Sequence, residues 1–307
     1  MSEAAVLERS AWLFEPHGPL SAAAVAGLRD DPRFPQAIRT LAGGMLALYR
    51  GNRLLNVLIN DRGRMIIGYL ALYLHEGAAP DGRGSGFGVG QLKALCAAAG
   101  IASPGRTVAM VAMMRMAGYI ASAPAPNDRR RNILVPTEKL RAAHRDRWKS
   151  VAEAVRVVNP DAAAAFALGE PEFEAAYVRR TAGCFLDGLR VIDIVPDLQL
   201  FLDRNAGLMI LFSMLLAGEG DDTVPPKRPI AVSISAFAGR FGVSRVHVRT
   251  LLRDAEAAGL IARSGDNHSR VVILPRLADA ARTFFATMLL LVAYCAVEAR
   301  ADARRAD

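Results

Sequence analysis

Along most of this chain apolar residues recur three and four positions apart, with only brief alternating stretches between. The pattern predicts a mainly helical protein with a few short strands. Helices are predicted from Gln36 to Ile59 and from Arg64 to Glu76, the second largely buried through Ile66, Ile67, Leu70, Leu72 and Leu74. A glycine-rich loop, Gly77 to Gly90, interrupts the periodicity. Next come a short helix from Gln91 to Ala99, a turn from Gly100 to Ser103, and a helix from Pro104 to Ala117. Proline suits that first helical position because its missing N–H would be unpaired there. Gly118 is a stop signal. Tyr119 to Ser122 and Ile133 to Val135 then read as two strands joined by the polar tip Pro126 to Asn132. Thr137 to Val158 reads as a long helix with Lys139, Arg141, Arg145, Arg147 and Lys149 along one side.

The pattern then recurs at one constant offset. Laying Ala97–Ile120 over Ala238–Ile261 without a gap pairs Ser103 with Ser244, Val111 with Leu252, and Gly118, Tyr119 and Ile120 with Gly259, Leu260 and Ile261. Upstream, Arg39 and Thr40 fall on Arg180 and Thr181, Leu48 on Leu189, and Gly77 on Gly218, whose loop to Pro229 carries Pro225 and Pro226. The second copy predicts helices from Ser235 to Phe241 and from Ser244 to Ala258. Strands Leu260 to Arg263 and Val271 to Leu274 flank a tip from Asp266 to Arg270, and a last helix begins near Leu277. Each copy therefore reads as a winged helix-turn-helix, and the chain as a duplication. The boundaries are an N-terminal extension over 1–21, repeats over 22–160 and 161–300, and a basic tail over 301–307. Four helices, Gln36 to Ile59, Thr137 to Val158, Tyr177 to Leu202 and Leu277 to Arg300, are expected to pack the repeats together. In the extension, Trp12, Phe14 and His17 either pack on the body or contact a partner.

At 307 residues the chain has room for two domains, each able to bury its own core. A net charge of +8 makes a polyanion the default partner, either nucleic acid or an acidic membrane. The longest apolar run, Phe284 to Val297, is shorter than the roughly 20 residues of a spanning helix, so it reads as a buried helix, with no membrane association expected. Glu3 and Glu8 and the lack of an apolar leader argue against secretion. Cys96, Cys184 and Cys295 lie far apart in apolar patterns without a metal-ligand spacing, consistent with structural thiols in the cytoplasm.

In a helix-turn-helix the second helix is held by inward apolar residues and its outer N-terminal positions enter the major groove. In the second copy Val248, Leu251, Leu252 and Ala255 form the inward face. Arg245, His247, Arg249 and Thr250 lie opposite, behind the N-cap Ser244. Arg245 and Arg249 are the leading base-reading candidates, since a guanidinium matches a guanine edge bidentately. A solvated basic face, or phosphate contact alone, is the alternative. The first copy turns Thr107, Met110, Val111 and Met114 inward. Behind Ser103 it leaves Pro104, Gly105, Arg106, Val108 and Ala109 outward, a weak reader. Its wing, Asp128 with Arg129, Arg130 and Arg131, supplies three cations for phosphates or the minor groove unless it is a plain soluble turn. The second wing offers only His268 and Arg270.

The run Val243, Ser244, Arg245 through Ala258, Gly259, Leu260, Ile261, together with Asp128-Arg129-Arg130-Arg131-Asn132-Ile133-Leu134-Val135-Pro136-Thr137-Glu138-Lys139, resembles the MarR family of bacterial transcription regulators. The resemblance covers most of the chain. It departs from the family at Pro104 and Gly105, and in the second wing, which lacks the Asp-Arg-Arg run. Family members are usually single copies that form two-fold dimers through their terminal helices. The resemblance thus implies a mainly α fold with small β wings, whose two tandem winged helix-turn-helix domains form a pseudo-two-fold, MarR-dimer-like unit. It also implies double-stranded DNA as partner, a chain that is internally a pseudo-dimer, either monomeric or paired again with a second copy, and a pocket for a small-molecule effector between the helical region and each lobe.

The expected function is sequence-specific DNA binding by a transcription regulator, without a cofactor. The alternatives are a plasmid-type replication initiator and a protein-interaction module with basic faces. The glycines from Gly82 to Gly90 lack the Gly-Lys-Ser/Thr ending of a phosphate loop, and no catalytic constellation recurs between the copies, so no enzyme is expected. His75 and His144 stand singly on helices and read as structural.

Overall fold

A computed structural model describes residues 11–48, 62–77, 86–125, 128–219, 222–266 and 269–306. The protein is mainly helical, with one antiparallel sheet of two strands and one of three. The first half runs α1 (Ala22–Asp30), α2 (Phe34–Ala47), α3 (Arg62–Gly77), α4 (Val89–Ala98), α5 (Pro104–Met116), β1 (Ile120–Ala125), β2 (Asp128–Pro136) and α6 (Glu138–Val158). The second runs α7 (Pro171–Leu186), α8 (Gly207–Leu215), β3 (Ile230–Ala231), α9 (Ile234–Phe241), α10 (Arg245–Ala257), β4 (Ile261–Ser264), β5 (Arg270–Ile273) and α11 (Pro275–Ala306). In the three-stranded sheet β5 lies between β3 and β4. The first half echoes this through a single antiparallel bridge from Phe87 to Leu134.

The local signals explain the repeated helices. Ser103 and Ser244 cap α5 and α10, their hydroxyls accepting from the N–H groups of Arg106 at 3.3 Å and His247 at 3.0 Å. Gly118 and Gly259 come next with φ of 73° and 68°, a left-handed conformation that ends a helix cheaply only for glycine. The helix after each hairpin is tied back in the same way in both halves. Thr137 N–H donates to Tyr119 O and Leu274 N–H to Leu260 O, each at 3.0 Å. Lys139 donates to the carbonyl of Ala117 at 2.8 Å and Arg276 to that of Ala258 at 3.2 Å, each placing a cation at the negative end of a helix.

These equivalences show that the offset is not constant. Ile101 N–H bonds Cys96 O while Val243 N–H bonds Ala238 O, so the first turn is one residue longer before its capping serine. The second hairpin is four residues shorter than the first, its register running from Ile261↔Ile273 against Ile120↔Pro136. The ungapped overlay of Ala97–Ile120 on Ala238–Ile261 runs straight through the first change and ends where the second begins.

Other expectations shift as well. The helix predicted from Tyr177 to Leu202 ends at Leu186. Gly188 takes φ 95° and Pro196 breaks the remaining stretch, leaving short turns at Val191–Ile194, Pro196–Leu198 and Gln199–Leu202. The helix predicted to Ile59 is described only to Ala47, and most of the Gly77 to Gly90 loop lies outside the described residues. Residues 301–306 are not a separate tail but the last turns of α11. In the extension, Leu13 is buried and Trp12 sets its ring edge-on to Tyr294, centroids 5.7 Å apart.

The halves do not bury separate cores. One core joins α2, the C-terminal half of α6 and α8 to Phe241, Val248, Leu252 and Ile273 of the second small lobe and to the start of α11. The other joins α3 and the first small lobe, including Met110, Val111 and Leu134, to Phe173 and Tyr177 of α7 and to Cys295 and Ala299 late in α11. Each small lobe is thus completed by helices from the opposite half, because helices as apolar as α7 and α11 must bury more than one face. Each fully buried Leu or Phe contributes roughly 1.5–3 kcal/mol. One described helix, Pro275–Arg305, is long and apolar enough to cross a membrane, and 61% of its most apolar window is buried inside the protein.

Candidate nucleic-acid interface

The inward sets expected for the two reading helices are buried: Thr107, Met110, Val111 and Met114 on α5, and Val248, Leu251, Leu252 and Ala255 on α10. This packing fixes which faces are left outward. On α10, Arg245 and Arg249 are exposed and make no hydrogen bond or ion pair among the described residues. Between them Val246 is 66% exposed. Thr250 is half-buried. Neighbouring arginines are engaged: Arg253 with Asp254 at 3.2 Å, and Arg263 with Glu256 through bonds of 2.8 and 2.6 Å. An arginine pair left without carboxylates at a capped helix N-terminus suits an external polyanion.

His247 differs from the other candidates. Its Nε2 lies 2.8 Å from the main-chain carbonyl of Asn205, so the ring is turned toward the body. On α5, Arg106 occupies the equivalent helical position and lines a cleft of about 500 Å³ together with Arg190, Asp193, Arg204 and Asn205. Val108 is 45% exposed and Ser103 serves as a cap. Sequence reasoning missed Arg204 and Asn205 because they fall just past the end of a helix predicted as continuous.

The hairpins also depart from expectation. The backbone of Arg129, Arg130 and Arg131 is strand within β2, with Asp128 paired to Ala125, so the tip is shorter than Pro126 to Asn132. The register shifts between Pro124, opposite Asn132, and Ala125, opposite Asp128, so Arg129, Arg130 and Arg131 fall at an irregularity of the ladder. Arg130 is exposed, and the side chains of Arg129 and Arg131 lie outside the described residues. Arg270 is exposed at the start of β5, and His268 lies outside the described residues.

The basic side predicted for α6 is not one open stripe. Lys139 holds Ala117 and covers the Tyr119 ring at 4.7 Å, and Lys149 pairs with Asp146 at 3.2 Å. Arg141 pairs with Glu76 at 2.7 Å. Arg145 lies between Glu138 at 2.8 Å and Glu174 at 2.7 Å. Its hydrogen bond to Glu138 and its close pairing with Glu174 hold the Arg145 guanidinium more firmly charged than usual, and Arg145 in turn lowers the Glu138 carboxyl. Arg141 and Arg145 therefore tie α6 to α3 and α7 rather than facing solvent as free charges. His144 is buried among Tyr69 and Trp148 with its Nδ1 unpartnered, and burial pushes its ring well below the ordinary imidazole range.

The fold brings two of the cysteines together: Cys184 of α7 packs against the cluster that holds Cys295 of α11, and their proximity lowers the Cys184 thiol and, with burial, raises Cys295. Among the described residues no three His, Cys, Asp or Glu side chains gather as a metal site. No protein-family model, no curated protein and no solved structure matches this chain.

Proposed function

We propose that the chain is a sequence-specific double-stranded DNA-binding transcription regulator, built as two tandem winged helix-turn-helix modules fused into a pseudo-dimer of the MarR type. The observation that carries this reading is the pair Arg245 and Arg249, exposed and without partners among the described residues, at the capped start of a helix whose other face is locked in the core. The repeated ties from Lys139 and Arg276 to the preceding helix support the tandem arrangement. In this reading the protein works in the cytoplasm on the nucleoid, by binding alone. α10 reads bases, α5 contributes little through Arg106 and Val108, and the first hairpin contacts phosphates or the minor groove through Arg129, Arg130 and Arg131.

The test is a genomic binding map of the tagged protein beside a variant lacking Arg129, Arg130, Arg245 and Arg249. The expected result is discrete promoter peaks that vanish in the variant, over a motif with unequal half-sites. A perfect palindrome with equal information in both halves would overturn the asymmetry. Peaks confined to a replication origin would replace the regulator with an initiator, and a flat profile would remove specific DNA recognition altogether.

A further inference from the structure

One short turn, Asp203 to Ala206, grips α10 near both ends. Near the start of the helix, the Nε2 of His247 lies 2.8 Å from Asn205 O, and since a carbonyl only accepts, the imidazole donates. Near its end, Arg204 bonds Asp254 at 2.8 Å. The turn is itself tightly determined. Ala206 sits at φ 57°, left-handed space that residues other than glycine seldom enter, and it is buried. At the next position a Cβ added to Gly207 would stand 2.1 Å from Phe201 O, so the chain can pass there only as glycine. Asp203, Arg204 and Asn205 of the same turn also line the cleft that Arg106 of α5 lines.

We propose that this turn sets the angle at which α10 presents Arg245 and Arg249, and that His247 and Asp254 are positioning residues rather than DNA contacts. The inference rests on the DNA-reading function proposed above. A reading side chain must be held within about 0.5 Å of its working geometry. The inward face of α10 restrains its distance from the core, but rotation about that apolar contact is resisted only by directional bonds. Beside the Arg263–Glu256 bonds at its C-terminal end, the two tethers are such bonds, and they are placed far enough apart along the helix to resist pivoting.

The test uses full-length protein in two measurements. Without DNA, amide exchange over residues 245–250 is compared among wild type, His247→Ala, His247→Gln and Arg204→Gln. Glutamine places a donor close to where Nε2 stood. H247A and R204Q are expected to speed exchange about five- to tenfold, the equivalent of one net hydrogen bond, while H247Q stays near wild type. Equal rates in all four overturn the clamp. On the duplex that wild type selects, H247A is expected to weaken binding, with less than additive loss when combined with Arg249→Ala. Additive losses would make His247 an independent DNA contact and overturn its positioning role. If wild type selects no duplex, the proposed function fails, and the exchange rates still decide whether the clamp exists.

Discussion

The guanidinium of Arg145 lies 2.7 Å from the carboxylate of Glu174, joining the long helix that closes the first half to the helix that opens the second. Glu174 is only 5% exposed, and it also accepts the N–H of Gly169 at 2.9 Å. An enclosed carboxylate needs such partners to offset its lost hydration. Replacing Glu174 by alanine leaves Arg145 with Glu138 alone and Gly169 unpaired. The expected cost is about 1.5–3 kcal/mol, read as a lower denaturant midpoint at unchanged slope.

The interlocked cores make the halves interdependent. Residues 22–160 expressed alone lack Phe173 and Tyr177, against which the first lobe packs, and the late residues of α11. The fragment is expected to show helical circular dichroism without dispersed amide resonances, and to gain dispersion when residues 161–307 are co-expressed. A well-dispersed monomeric fragment would contradict the shared cores. Within the full chain, Tyr177→Ala should cost roughly 3–5 kcal/mol, as for other buried aromatic truncations.

His144 gives stability a pH dependence of known sign. Burial, aided by Arg147, disfavours its protonated form in the folded protein relative to the ordinary value of 6.5. The unfolded chain therefore takes up the proton first. Stability is full above about pH 6.5 and falls below it, with a slope approaching about 1.4 kcal/mol per pH unit for this one group. His75 is lowered by burial as well and acts in the same direction. In urea denaturation at a series of pH values, His144→Phe is expected to lose part of the decline between pH 7 and pH 5. An unchanged slope would show that His144 does not carry it.

If the chain reads DNA as proposed, Arg245→Ala and Arg249→Ala should each relax specificity at one base pair by roughly 1–3 kcal/mol. Arg130→Ala should weaken all sequences evenly and reduce the salt slope by about one. Binding titrations at several salt concentrations on matched and mismatched duplexes separate the two behaviours. The reverse pattern would mean that helix and hairpin have exchanged roles.

The amino-acid sequence by itself determined the local elements and their repetition. Ser103 and Ser244 announce helix starts, Gly118 and Gly259 announce ends, and the spacing from Val248 to Ala255 marks a buried face. These are legible because a cap, a left-handed glycine and a helical period each depend on residues a few positions apart. Only the tertiary structure decided what those elements meet. The basic residues of α6 read as an open stripe, yet Glu76 and Glu174, distant in sequence, claim Arg141 and Arg145. His247 read as an outward side chain, but the backbone of Asn205 reaches it from a turn just past the end of a helix predicted as continuous. Cys184 and Cys295 read as remote and are neighbours. Each half was expected to fill its own core, whereas α11 serves both lobes and α7 of the second half completes the first. A period of apolar positions specifies that a face is buried but not by what, so the partners of charges and helices are decided only by how the whole chain packs.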